Sequence, residues 1–391
     1  MKLWAKLLVL PVLCGLMAPG RDRVNVAEPK WRIDLKEKYQ FDPFDREVTF
    51  RWTLHQDVLF LSPDKLLVYQ VSRSRAPSRL VPRDASGGGG NFVLDIKILS
   101  TQDGHEIKAM RFTTNAEATQ VMATRDGRFL VRTGEVLYLY SANFEKIASR
   151  ALPLKRQVQE EGWEIGVSPS GAEVTLVHQQ IFKRDPMSPT SAVEKANAEV
   201  EVLDEETLAV LKSFSLPWFI ASWSAGEHLL VTSKPAANAD SASYGLLDFN
   251  GNWSPLLLAW YSPSQPCAYQ ASALDSRLFV TFGCGNLSVF PQNGQVIFSF
   301  KDASKEFVGS VKGRGSNLAI EIERHFTRMD QTGNIPIAMA RPLRISVFEV
   351  RSRRAVVSAA THRGRVYYAL ASQGALAVVD GTSLALYQAG P

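Results

Sequence analysis

Seven similar turns punctuate the chain at regular intervals, and that regularity constrains the fold more than any other feature of the sequence. They read SPDK (Ser62–Lys65), TRDGR (Thr124–Arg128), SPSGA (Ser168–Ala172), SAGEH (Ser224–His228), LDSRL (Leu274–Leu278), KGRGSN (Lys312–Asn317) and SQGAL (Ser372–Leu376). Each separates two extended runs, such as QDVLFL from LLVYQV and ATQVMA from RFLVRT. Short β-rich runs bounded by Gly, Asp, Ser and Asn are strand–turn–strand signals. A second hairpin follows in most units, as in FVLDIKILSTQDGHEIKAMRF, EVLYLYSANFEKIASRAL and LRISVFEVRSRRAVVSA. Two successive hairpins give one four-stranded antiparallel sheet, and the turn-to-turn spacing lies mostly near the ~40–45 residues of a propeller blade.

The expected fold is therefore all-β: a seven-bladed β-propeller of four-stranded antiparallel blades. A chain of 391 residues with 45% hydrophobic and 21% charged residues can build the core this needs. The last unit is one strand short. The run REVTFRW (Arg46–Trp52) stands as a strand without a hairpin ahead of the first full unit. It is expected to join the last blade and close the ring, which hides the sheet edges of an open array. The implied organisation is a leader over 1–20, an N-terminal extension over 21–45 and a single propeller over 46–391.

The leader reads MKLWAKLLVLPVLCGLMAPG, with Lys2 and Lys6 ahead of an apolar run and a small-residue cleavage site before Arg21. The apolar run is shorter than the ~20 residues of a spanning helix. An exported protein, periplasmic or extracellular, with no membrane span after cleavage is the expectation. Loss of Lys2 and Lys6 takes the net charge from +5 to +3. That mild charge, with no interleaving of aromatic and basic residues, argues against a nucleic-acid partner. A monomer is expected.

Two stretches carry a resemblance. VEVLDEETLAVLKSF (Val200–Phe214) resembles the outer hairpin of secreted bacterial YVTN-type propellers, in which V-x-V-x-D-x-x-T recurs, and VSPSGAEVTL (Val167–Leu176) resembles the inner hairpin of those repeats and of WD-repeat blades. The resemblance implies a propeller of exported bacterial type and brings no active-site residue with it.

Cys267 and Cys284 bracket the fifth inner hairpin, CAYQASALDSRLFVTFGC. With Asp275-Ser276 as a two-residue turn, Leu274 faces Arg277 and Cys267 faces Cys284, at a non-hydrogen-bonded position where Cα atoms approach ~4.5 Å. That spacing suits a disulfide, which export would allow to persist. Neither a zinc site nor a C-x-x-C redox pair has its remaining ligands or spacing here.

Function is expected where the blades differ. Long insertions fall between the second and third strands of four units: 72–91, 178–198, 234–243 and 325–342. In a propeller these share one face, and insertions gathered on one face are often the binding surface. They carry Arg73, Arg75, Arg79, Arg83, Lys183, Arg184, Arg328 and Arg341, with His178 and His325 at the start of two of them. Arginine forks suit carboxylate, sulfate or phosphate, so a protein or an anionic glycan is the expected partner. SPDK matches S-x-x-K but lies on a tight turn, and GVSPSG lacks the helix of a nucleophile elbow. The alternative is a channel-site enzyme of the lactonase-like or quinoprotein-like kind. It needs polar groups converging from the innermost strands, where Glu164 and Glu306 stand out, and no catalytic residue, metal or cofactor site is assigned.

Overall fold

The computed structural model describes residues 26–41, 53–73, 92–114, 119–152, 160–168, 171–183, 193–216, 220–225, 228–233, 243–255, 270–275, 277–283, 286–301, 306–329, 336–362 and 366–388. Strand β1 (Trp31–Asp34) and a short helix α1 (Leu35–Tyr39) precede the first blade, formed by β2 (Thr53–Ser62), β3 (Lys65–Arg73), β4 (Phe92–Ser100) and β5 (Glu106–Thr114). Blade 2 is β6 (Thr119–Ala123), β7 (Phe129–Thr133), β8 (Val136–Tyr140) and β9 (Lys146–Ala151), and blade 3 is β10 (Glu160–Val167), β11 (Val174–Lys183), β12 (Val193–Leu203) and β13 (Val210–Leu216). Blade 4 is β14 (Ile220–Ala225), β15 (His228–Ser233), β16 (Ser243–Asp248) and β17 (Trp253–Pro255). Blade 5 is β18 (Gln270–Ala273), β19 (Leu278–Gly283), β20 (Asn286–Pro291) and β21 (Phe298–Lys301). Blade 6 is β22 (Phe307–Arg314), β23 (Asn317–Met329), β24 (Pro336–Glu349) and β25 (Arg354–Ala360); β26 (Val366–Leu370), β27 (Leu376–Asp380) and β28 (Ser383–Tyr387) belong to blade 7.

Every sheet is a four-stranded antiparallel meander, and β1 supplies the fourth strand of blade 7 in the order β1-β28-β27-β26. The first strands of neighbouring blades approach one another, β2 meeting both β26 and β6, which places them innermost. This is a seven-bladed β-propeller, and all seven punctuating turns join a first strand to a second.

Burial explains the run types. Second strands lie between the innermost strand and the outer hairpin with neighbouring blades on both faces, so Leu66, Leu67 and Val68 in β3 are all fully buried and read as an unbroken apolar run. Each such side chain contributes roughly 1.5–3 kcal/mol. Outer strands alternate or open to solvent: β13 is exposed over its first four residues, Val210 and Leu211 among them. The cores lie between blades, as where Tyr69, Ile96 and Ile98 of blade 1 meet Val121, Phe129 and Val131 of blade 2.

The turns also tie the blades together. Gly171 adopts φ +78°, and a Cβ there would lie 2.7 Å from the Arg125 backbone nitrogen; Arg125 N–H donates to Gly171 O across blades 2 and 3 at 3.0 Å. In the V-x-V-x-D-x-x-T stretch, Asp204 Oδ1 accepts from the N–H of Glu206 and of Thr207 and from Thr207 Oγ, at 3.0, 2.8 and 2.8 Å. The motif is thus a turn-capping device.

Two expectations are corrected. The closing strand is Trp31–Asp34 and not Arg46–Trp52, which lies outside the described residues, so the propeller takes in chain well before residue 46. Trp31 pairs with Leu386 and Asp34 with Ser383. The fifth inner hairpin is also one residue out of the expected register, with Gln270 opposite Phe282 and Ala273 opposite Phe279. The Asp275 carboxylate accepts from Arg277 N–H and Leu278 N–H, both at 2.7 Å, and Leu274 N–H donates to Leu278 O. The connection therefore spans three residues instead of two. Cys267 and Cys284 lie outside the described residues, and the register that set them face to face does not hold in the strands between them.

Candidate functional site

Four of the second-to-third-strand connections are long, in blades 1, 3, 4 and 6, and all leave from the same face of the ring; blade 2 makes the same connection with Gly134-Glu135 alone. Arg73 and Lys183 are the last residues of β3 and β11, paired with Phe92 and Val193, and Arg328 pairs with Ile337. These three stand where the chain leaves for that face. Arg75, Arg79, Arg83 and Arg184 lie outside the described residues. The segments 178–198 and 325–342 are less loop than expected. Strand pairing carries β11 out to Lys183 and continues in blade 6 to Met329 opposite Pro336.

Three aromatic–histidine pairs stand towards this face. In blade 3 the register sets Trp163, His178 and Glu199 side by side on adjacent strands. The His178 ring stacks on Trp163 at 4.4 Å and 13°, and its Nδ1 lies 3.3 Å from Glu199 Oε2. His178 is only 2% exposed, so it is a packed residue beneath the face and not a surface contact. In blade 6 His325 stacks on Phe307 at 4.4 Å and 18° and approaches Glu323 Oε2 at 3.5 Å, with half its side chain open to solvent. In blade 1 His55 Nε2 lies 2.9 Å from Tyr69 Oη, with Tyr367 edge-on at 5.7 Å.

Blade 6 presents several charged side chains among the described residues. Arg344 forks onto Glu306 at 2.7 and 3.3 Å, so Glu306 holds an arginine and is not a channel carboxylate awaiting a ligand. Arg341 is exposed, donates to His362 O at 3.2 Å, and pairs directly across the ribbon with exposed Arg324. Among the described residues, the hairpin of β23 and β24 brings His325, Arg328 and Arg341 together, and β11 carries His178 and Lys183.

The channel wall holds a polar cluster the sequence reading missed. Lys312 Nζ of blade 6 donates to Tyr368 O of blade 7 at 2.7 Å, lies 3.7 Å from Asp57 Oδ1 of blade 1 and sits 5.1 Å over the Tyr368 ring. Ser310 Oγ donates to Glu321 Oε2 and lies 2.9 Å from Tyr368 Oη. Burial pushes the Tyr368 phenol well up, with Glu321, Asp57 and Glu323 adding to the rise. Arg314 Nη1 reaches Phe60 O at 3.4 Å, and burial lowers its pKa. Two cations of blade 6 thus reach past blade 7 to blade 1. The signal in the sequence was the charge interrupting QDVLFL and FVGSVKGR on innermost strands.

No family model matches the chain, and no curated protein matches it. Among solved structures it is similar to Pyrococcus horikoshii acylaminoacyl peptidase, with TM-score 0.51 and 11% identity over 88% of this chain and 52% of that one. The chain therefore spans about half the length of that protein. It is also similar to the β-propeller domain of the Trilobed protease from Pyrococcus furiosus, with TM-score 0.50 and 10% identity over 87% and 96%. That domain is described as having an open velcro topology, whereas here β1 joins blade 7. The Neurospora crassa Pan2 WD40 domain matches at TM-score 0.47 and 9% identity over 94% and 98%. At such identities the likeness shows the fold alone, a β-propeller.

Proposed function

We propose that the protein is an exported binding propeller that reads an anionic partner, a glycan or a protein, through the face carrying its inserted connections. The observation that carries this reading is the one-sidedness of the insertions. Seven blades repeat one plan, and four depart from it at the same connection, to which the sequence assigns the candidate basic residues. Binding residues concentrate on such connections, positioned by a rigid scaffold. The channel-wall charges lend support, because Lys312, Asp57, Ser310 and Glu321 are engaged with one another and with the backbone. The leader-like first 20 residues support export, which the mass of protein recovered from the cell envelope checks: a mature chain beginning at Arg21 is expected.

The test replaces residues 74–91, which hold Arg75, Arg79 and Arg83, by the Gly-Glu turn that blade 2 uses at the equivalent place. The expected variant keeps its circular dichroism and melting midpoint but leaves a heparin column at markedly lower salt. Unchanged elution rejects the reading for this connection. A second reading, a channel-site hydrolase, is favoured only by Ser310, held between Glu321 and Tyr368. Turnover of an activated ester that Ser310→Ala abolishes would put it first.

A further inference from the structure

The hairpin of β23 and β24 outgrows its blade. Residues 324–327 are exposed at all four positions, so both faces of the ribbon clear the neighbouring blades over this length. Its pairing runs Arg324 opposite Arg341, then His325 opposite Ala340 and Phe326 opposite Met339. Alternation along a strand sends His325 to one face and Arg324 with Phe326 to the other. The His325 face is anchored by its stack on Phe307. The opposite face carries Arg324, Arg341 and Phe326, the last 42% exposed.

Like charges directly opposed on adjacent strands are destabilising, with Cβ atoms about 4.5–5.5 Å apart. Arg324 meets no carboxylate among the described residues. Among the described residues, the partner of Arg341 Nη2 is a carbonyl, His362 O. Two guanidinium forks this close, with no carboxylate between them among the described residues, can converge on a single anionic group. An exposed aromatic ring two residues along offers an apolar plate beside it.

The geometry points to Arg324, Arg341 and Phe326 as a subsite for one sulfate or carboxylate of an anionic sugar chain, the sugar's C–H face lying on the Phe326 ring. The assignment rests on the proposed function and names the residues within that face. The arrangement favours a sugar over nucleic acid, since the two forks stand side by side at one position and a single exposed ring stands beside them. Single-strand binding instead calls for a succession of stacking rings along a basic groove.

The test is calorimetric titration of the full chain with a heparin octasaccharide, Arg324→Gln, Arg341→Gln, the double variant and Phe326→Ser being compared with wild type. Each arginine change should weaken binding about tenfold, and the double variant should lose clearly less than the product of the two, because both forks serve one group. Melting midpoints without ligand should not fall in Arg324→Gln. If Arg341→Gln fails to fold, Arg324→Gln alone decides the matter. Wild-type binding that these variants leave unchanged overturns the subsite while the insertion face stands. Equal affinity for polyglutamate or oligothymidylate of matched charge overturns the sugar assignment. No binding of the octasaccharide by wild type overturns the subsite and the glycan arm of the proposed function.

Discussion

At the scale of single residues, the ring's last seam depends on Lys312. Its ammonium reaches a carbonyl of blade 7 and a carboxylate of blade 1 from a strand of blade 6. The side chain is 42% exposed, so the Asp57 pair is screened and worth little; the hydrogen bond to Tyr368 O is worth about 1 kcal/mol. Lys312→Met should therefore destabilise by about 1 kcal/mol in urea unfolding, with an unchanged m-value, and no loss at all would remove the lock. Gly171→Ala should cost more, about 2 kcal/mol. Its positive φ strains any other residue, and backbone of the next blade stands where the methyl group would go. Neither effect was open to sequence reasoning. A lysine on an innermost strand does not announce which blade it will reach. In the fifth hairpin, one aspartate capping two N–H groups lengthens the connection by a residue and carries every partner to the next position.

Among elements, the inner and outer hairpins were legible because their turns combine Gly, Asp and Ser with apolar runs of the right length. The Asp204–Thr207 cap shows why one of those turns keeps its motif. The closing strand was not. WRID alternates apolar with charged residues but has only four of them and no hairpin partner beside it in the sequence, while REVTFRW has the length and composition of a strand. What identifies Trp31–Asp34 is contact: Trp31 Nε1 donates to Thr101 O of blade 1 at 3.0 Å, and Asp34 Oδ2 accepts from Thr382 Oγ at 3.0 Å. Asp34 also caps α1, accepting from Lys36 N–H and Glu37 N–H at 2.8 and 3.0 Å. Asp34→Ala should cost about 1 kcal/mol. The Glu37 N–H, with Thr382 and Lys36 after it, holds this carboxyl below its ordinary value of 3.8. A depressed folded pKa gives stability that is full above the ordinary value and fades as pH falls below it. The variant's deficit should shrink on acidification below that value, and an equal deficit at every pH would take the cap out of the account.

Over the whole molecule, buried and half-buried phenols gather where the ring closes. Burial, reinforced by Glu106, pushes Tyr39 up to about 12 from 10.0, and burial chiefly raises Tyr69 and Tyr368 as well. Tyr39 ends α1 behind the closing strand, Tyr69 lies in blade 1 and Tyr368 in blade 7. A raised folded pKa gives stability that is full below the unfolded value and lost as pH climbs through the folded one. Melting midpoints should hold up to about pH 10 and then fall towards pH 12 and beyond, the loss tracking tyrosinate absorbance. A flat midpoint across that window would mean these phenols ionise freely.

The pairing of β1 with β28 also sets a schedule. Asp34 and Thr382 stand 348 residues apart in the chain. At ~5–20 residues per second, a ribosome takes roughly 20–70 s to deliver the partner that the first strand must wait for. Through that interval WRID stays a bare edge beside a growing stack of blades. Its brevity and its two charges suit the wait, since short, charged edges resist pairing with strangers.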